Sequence, residues 1–164
     1  MEGLATGNDG PYWDGAVYVH LDTGKPPAKL GPKDGDIIWR YDMMDELGVF
    51  PHNASNCSVI VVGDMVYACT SNGQDWTHSN GPSPLSPSFI ALDAKTGELK
   101  GEDDAGIGPN IYHGQWSSPS YGSVNGQGQL FFGGGDGWCY AFNPKPVYDK
   151  DEDLDFLSKV WWYD

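Results

Sequence analysis

The stretch SFIALDAKTGELKGEDD, residues 88–104, decides the fold. Four apolar residues, Phe89-Ile90-Ala91-Leu92, run straight into Asp93-Ala94-Lys95-Thr96-Gly97. The run is too short for a helix and ends in turn-forming residues, so it reads as a strand. The Asp93 carboxylate is expected to accept backbone N–H bonds from the turn that follows. Thr96 helps to cap that turn, and Gly97 supplies a left-handed backbone position. The strand ending at Asp93 is expected to be the outer strand of its unit, with the chain crossing from it to the innermost strand of the next.

The rest of the 164-residue chain has the composition that such an architecture needs. It holds 23 glycines and 12 prolines, and its 20% of charged residues is too few for a disordered acidic chain. Short strands joined by glycine-rich turns account for this mixture, and long amphipathic helices do not. A net charge of -14 leaves nothing to neutralise a row of phosphates, so nucleic acid is excluded as a partner, and an anionic membrane surface is disfavoured. No apolar run approaches the roughly 20 residues of a membrane span, and Met1-Glu2-Gly3 does not open a signal peptide. Cys57, Cys69 and Cys139 lack the CxxC or CxxCH spacing of a zinc ribbon, a thioredoxin-type motif or a c-type haem site. Cys69 and Cys139 lie in strand-like runs and are expected to be buried free thiols.

The chain also repeats itself. The segment from Ser58, SVIVVGDMVYACTSNG, and the segment from Pro119, PSYGSVNGQGQLFFGGGDGWCYAFNPK, each give a strand, a tight polar turn and an apolar strand. Phe89-Ile90-Ala91-Leu92-Asp93 matches Cys139-Tyr140-Ala141-Phe142-Asn143, and DIIWRYD at 36–42 is echoed by SKVWWYD at 158–164. A repeat of roughly 60 residues with four short strands is the pattern of a propeller blade.

Ala91-x-Asp93-x-x-Thr96-Gly97 resembles the repeat signature of bacterial pyrroloquinoline-quinone-like, quinoprotein-type β-propellers. In that signature a tryptophan follows three residues later and wedges between blades. Gly101 stands in its place here, which predicts a looser junction, while Trp39 and Trp161 belong to the structural motif. The resemblance implies an all-β partial β-propeller of about two four-stranded antiparallel blades plus flanking pieces. The blades are expected at about 36–100 and 105–164 within a unit spanning 34–164, with Ile37–Tyr41 and Val160–Tyr163 among the innermost strands. Residues 1–33 read as an irregular insertion or loop with a partial strand. The chain then reads as part of a longer protein whose remaining blades are its partners, with Trp161, Trp162 and the residues near Trp39 exposed at its ends.

The function implied by the resemblance is a non-catalytic propeller scaffold, or a ligand- or protein-binding module, of the bacterial cell envelope or periplasm. Envelope proteins or a small molecule would be its further partners. The alternative is a quinoprotein-type oxidoreductase, an alcohol or sugar dehydrogenase using pyrroloquinoline quinone and calcium, with its active site mostly outside this chain. No adjacent cysteines, calcium ligands or aspartate base can be assigned, so no cofactor is assigned to these residues.

Long loops on a rigid scaffold are where binding residues sit. Two of them, 43–56 and 71–87, are expected at one end of the first blade, opposite the minimal turns at Gly63-Asp64 and Lys95-Thr96-Gly97. On that end lie the candidate ligand-binding residues His52, Asn53, Trp76 and His78, with Asp75 beside them. The equivalent loop of the next blade adds His113, Gln115 and Trp116. His52 and His113 could serve as metal ligands or acid–base groups. The reading preferred from the sequence is that each satisfies loop backbone groups with Trp116 as core, since no close-spaced histidine pair marks a metal site. GGGDGW, residues 133–138, fits no phosphate-binding motif and reads as a tight turn at Asp136-Gly137. DKDEDLD, residues 149–155, alternates carboxylates like a calcium loop but has Leu154 at the required glycine position, and reads as a solvated turn.

Overall fold

A computed structural model describes the backbone of residues 12–14 and 17–19 and the chain from 38 to 164. Ile37 and most of the insertion expected at 1–33 lie outside the described residues. Strand β1 (Tyr12–Asp14) pairs antiparallel with β2 (Val17–Val19) and parallel with β3 (Trp39–Arg40). A one-turn helix, α1 (Met43–Leu47), follows; the Asp42 carboxylate caps it by accepting the Met44 and Asp45 N–H groups. Apart from a 3-10 turn at Gly108–Asn110, the regular structure in the remainder of the described chain is strand, as expected of an all-β protein.

Four of them, β4 (Ile60–Val62), β5 (Met65–Cys69), β6 (Phe89–Asp93) and β7 (Leu99–Asp103), form an antiparallel meander. A second antiparallel sheet orders β8 (Ser120–Val124), β9 (Gln127–Gly133), β10 (Cys139–Phe142) and β13 (Lys159–Tyr163). Between β10 and β13 the chain makes a hairpin, β11 (Val147–Asp149) and β12 (Leu154–Leu157). That hairpin joins the first sheet, with β12 running parallel to β7, to give six strands.

The turn chemistry read from Asp93 is present. Its carboxylate accepts the Lys95 and Thr96 N–H groups at 2.8 and 2.9 Å, Thr96 Oγ1 accepts the Glu98 N–H, and Gly97 has φ 74°. Those hydrogen bonds hold the Asp93 carboxyl below its usual range. The destination of the chain differs from the expectation. The turn does not cross to a new unit: it closes a hairpin, and β7 pairs with β6 in the same sheet. A short turn, residues 94–98, reverses the chain onto its own neighbour, so the crossover waits for the longer segment 104–119.

The repeat frame therefore runs one strand later than 36–100 and 105–164. Gly101 lies opposite Ala91 on β6, and Trp161 lies opposite Ala141 on β10, so β7 and β13 are equivalent fourth strands. Val160–Tyr163 is accordingly the fourth strand of the second sheet, and Trp39-Arg40 pairs with β1 instead of opening the first meander. Trp39 is half-buried; its Nε1 donates to the Ala94 carbonyl at 3.1 Å, and its ring lies over Gly97, where a Cβ would come within 2.6 Å. Nor is the place beside Gly101 slack: a Cβ there would meet the Pro146 ring at 2.8 Å and the Asp155 carbonyl of β12. The glycine makes room for the added hairpin.

The two sheets pack face to face. Tyr67, Cys69, Phe89 and Ala91 meet Leu130, Phe132, Tyr140 and Phe142, and the Phe89 and Phe132 rings stack at 5.2 Å. The opposite face of the first sheet, with Val66, Ile90 and Leu92, is covered by Trp39, Tyr41, Met43 and Leu47. Both faces of β6 are thus covered, which is why its apolar run does not alternate. Cys69 is buried as expected. Cys139 is exposed instead, because it points to the outer side of β10. Trp161 and Trp162 keep 36% and 54% of their surface open, as expected for that strand.

Asp103 ends β7 inside the protein. Its Oδ1 accepts the Ser88 and Phe89 N–H groups at 2.6 and 2.7 Å, and Oδ2 accepts the Ala105 N–H. Burial pushes its carboxyl up to about 6 despite those donors. Because the folded value lies above the unfolded one of about 3.9, the folded state holds this proton more tightly. Its contribution is fully present below about pH 4 and is lost as pH rises through about 6. Asp103→Ala should cost on the order of 3 kcal/mol in chemical denaturation, because it leaves buried donors unpaired. Asp103→Asn keeps one acceptor and should cost less. The wild type should gain stability relative to Asp103→Asn between pH 7 and pH 4; a pH-independent difference would show that the carboxyl is not buried as described.

Candidate functional site

The meander order puts the connections before β4, between β5 and β6, between β7 and β8 and between β9 and β10 at one end of the two sheets, while segment 143–158, with the β11–β12 hairpin, leaves from the other. The turns at Gly63-Asp64, 94–97 and Asn125-Gly126 close the other end, where the Ala94 N–H donates to the Asp64 carbonyl. Segments 48–59, 70–88 and 104–119, with the turn at 134–138, cluster opposite. Segment 104–119 belongs there because it is the crossover between sheets.

Backbone bonds knit these segments together. Pro51 and Asn72 form an isolated bridge, the Asn72 side chain accepts the Phe50 N–H, Gly73 N donates to Phe50 O, and Gln74 N donates to His113 O. The approach is so close that a Cβ on Gly73 would lie 2.7 Å from the His113 carbonyl and 2.8 Å from the His52 Cβ. One on Gly114 would strike the Trp116 ring at 2.7 Å. Glycine at both places is what allows three loops to meet.

Their meeting brings His52, His78 and His113 together. One ring nitrogen from each lies within 4.8 Å of the others. His52 is 1% exposed, whereas His78 and His113 are open to solvent. The Nε2 atoms of His52 and His113 are 2.7 Å apart, and the ring centroids of His78 stand 5.0 and 4.6 Å from those of His52 and His113. His52 Nδ1 lies 2.7 Å from the Gln74 carbonyl. A carbonyl can only accept, so Nδ1 carries the proton and the Nε2 lone pair faces the other two rings. His113 is held below the usual histidine value, first by loss of solvent and then by the charges His52 and His78 would carry.

Trp76 and Trp116 flank the cluster, with ring centroids 5.6 and 6.2 Å from His52. Asp75 fixes the loop tip that carries Trp76 and His78: its carboxylate accepts the Thr77 N–H and hydroxyl and the Asn80 amide. Those bonds hold its carboxyl down at about 2. His78 itself takes φ 56°. Gln115, a candidate from sequence, turns away from the histidines. It is 1% exposed, donates to Asn72 O and Ser88 Oγ, and accepts the Gly135 N–H. Asn53 follows His52 on an exposed left-handed turn. Gln74, not singled out from sequence, orients His52 through its backbone; no side-chain pattern could have marked it.

Residues 133–138 and 149–155 include the turns expected there. Asp136 accepts the Trp138 N–H and the Tyr140 hydroxyl, with Gly137 at φ 90°. Asp149 accepts the Asp151 N–H in the β11–β12 hairpin. Among the described residues the three histidines are the group arranged to hold a metal ion. Comparison of the chain with protein-family models, curated proteins and solved structures gives no match.

Gly73→Ala should destabilise the protein by about 1–3 kcal/mol, the range for forcing a methyl into a closed contact. Gly81→Ala, with nothing within 4 Å of its Cβ, should stay within about 0.5 kcal/mol of wild type. Denaturant melts of both variants check this pair, and equal effects would mean that the loops are not closed on Gly73.

Proposed function

We propose that this chain is a ligand-binding module of a propeller-type repeat protein of the bacterial envelope, and that its ligand is a divalent transition-metal ion on His52, His78 and His113. In this reading the two packed meanders are consecutive blades, and their role is to hold the loops. The observation that carries it is the convergence of three imidazole nitrogens, from loops far apart in sequence, within 4.8 Å.

The site's dimensions suit such an ion. Zinc binds imidazole nitrogen at about 2.0–2.1 Å, which puts tetrahedral ligand atoms about 3.4 Å apart. The 2.7 Å contact between His52 and His113 has to open and the 4.8 Å limit has to close, each by a side-chain adjustment. The metal would replace the proton that joins those two nitrogens. The Gln74 carbonyl already provides the outer hydrogen bond that metal-bound histidines use to fix their tautomer. An all-imidazole set favours zinc, copper or nickel over calcium or magnesium, which take oxygen ligands. The exposed side at His78 and His113 leaves room for water or a further ligand.

The test is calorimetric titration of zinc into chelator-stripped protein. About one ion per chain should bind, and His78→Ala and His113→Ala should each weaken binding about tenfold or more. His78 is exposed and its variant should melt close to wild type, whereas His113→Ala removes the partner of the buried His52 Nε2 and should cost about 1 kcal/mol or more. Absence of binding, or binding that both variants leave unchanged, would overturn the proposal.

A further inference from the structure

Two cysteines that the histidine site does not use meet beneath it. Cys57 precedes β4 and Cys69 ends β5. Both sulfurs approach the Gln115 carbonyl oxygen, at 3.7 and 3.5 Å. They share Ser71 as well: Cys57 Sγ is 3.8 Å from its hydroxyl, and Cys69 Sγ accepts its N–H at 3.3 Å. Cys57 is half-buried and Cys69 is buried, whereas Cys139 is exposed on the outer side of the second sheet. The two thiols are thus held against the same two residues, in the same packed cluster.

We propose that Cys57 and Cys69 form an intramolecular disulfide when the protein meets an oxidising thiol–disulfide pool. Cys57 is the thiol that an oxidant reaches first. Its thiolate attacks one sulfur of glutathione disulfide, forming a mixed disulfide and releasing one glutathione thiolate. The Cys69 thiolate then attacks Cys57 Sγ and displaces the second glutathione. Two protein S–H groups are oxidised to one S–S bond, one glutathione disulfide is reduced to two glutathione thiols, and these take up the two protons. Burial pushes the Cys69 thiol up to about 12, with Cys57 among the neighbours that raise it further. That makes it a poor first nucleophile, in keeping with the order of steps.

The bond would clamp the start of β4 to the end of β5, directly under the Gln115 backbone. Such bonds persist in exported proteins and are reduced in the cytosol, so this one would suit a protein of the envelope.

The experiment uses the chain with Cys139→Ser, in chelator so that metal binding plays no part. The reduced protein is equilibrated with glutathione disulfide, alkylated without reduction, and analysed by mass spectrometry. The expected result is a loss of about 2 Da, no alkylatable thiol and a peptide linking Cys57 to Cys69. The midpoint of thermal unfolding should rise by roughly 5–10 °C, a gain that reductant reverses. Two thiols still open to alkylation, a stable glutathione adduct on Cys57 or only intermolecular bonds would each overturn the proposal.

Discussion

The buried Gln115 amide is the tie on which the arrangement of this end depends. It holds the β5–β6 loop through Asn72, the start of β6 through Ser88, and the β9–β10 turn through Gly135. Its own backbone belongs to the crossover between the two sheets. One side chain thus bonds every segment that closes the upper end of the interface except the one carrying His52, which the Pro51–Asn72 bridge brings in. Such a network is strong only when complete, because each unmatched buried group costs more than a bond contributes on balance. The aromatic packing of Phe89 against Phe132 brings the sheets together; Gln115 sets how their loops meet.

From that constraint the chemistry follows. His113 lies two residues before Gln115, and Gln74 lies two residues after Asn72, so the braced backbone places one of the proposed ligands and the carbonyl that orients another. Asp75 restrains the third at the loop tip. The surrounding charge acts in the same direction: at -14, the protein's field draws cations toward it. In the proposed reading function sits in the loops, and the sheets contribute rigidity.

The sequence made local chemistry legible and long-range pairing illegible. The Asp93–Gly97 turn was readable because its hydrogen bonds join neighbours, and Asn143 repeats it by accepting the Lys145 N–H. Whether the next strand stays in the sheet depends on partners far away, and the frame slipped by one strand there. Gly101 reads as an omission from a repeat until Pro146 and β12 are seen to fill its place. The histidines stand at positions 52, 78 and 113, with no metal-site spacing among them. The signal present in the sequence was the shared end of the long loops, and it brought His52, His78 and His113 under one heading without bringing them into contact. Gln115 carried the same signal, yet turns inward, where Asn72, Ser88 and Gly135 satisfy its amide.

The central claim is that three imidazoles from separate loops bind one ion. X-ray absorption of the zinc-loaded chain tests it most directly. A first shell of nitrogen at about 2.0–2.1 Å, with the multiple-scattering pattern of three imidazole rings, is the predicted result. A shell of oxygen without imidazole, or one of sulfur at about 2.3 Å, would contradict it.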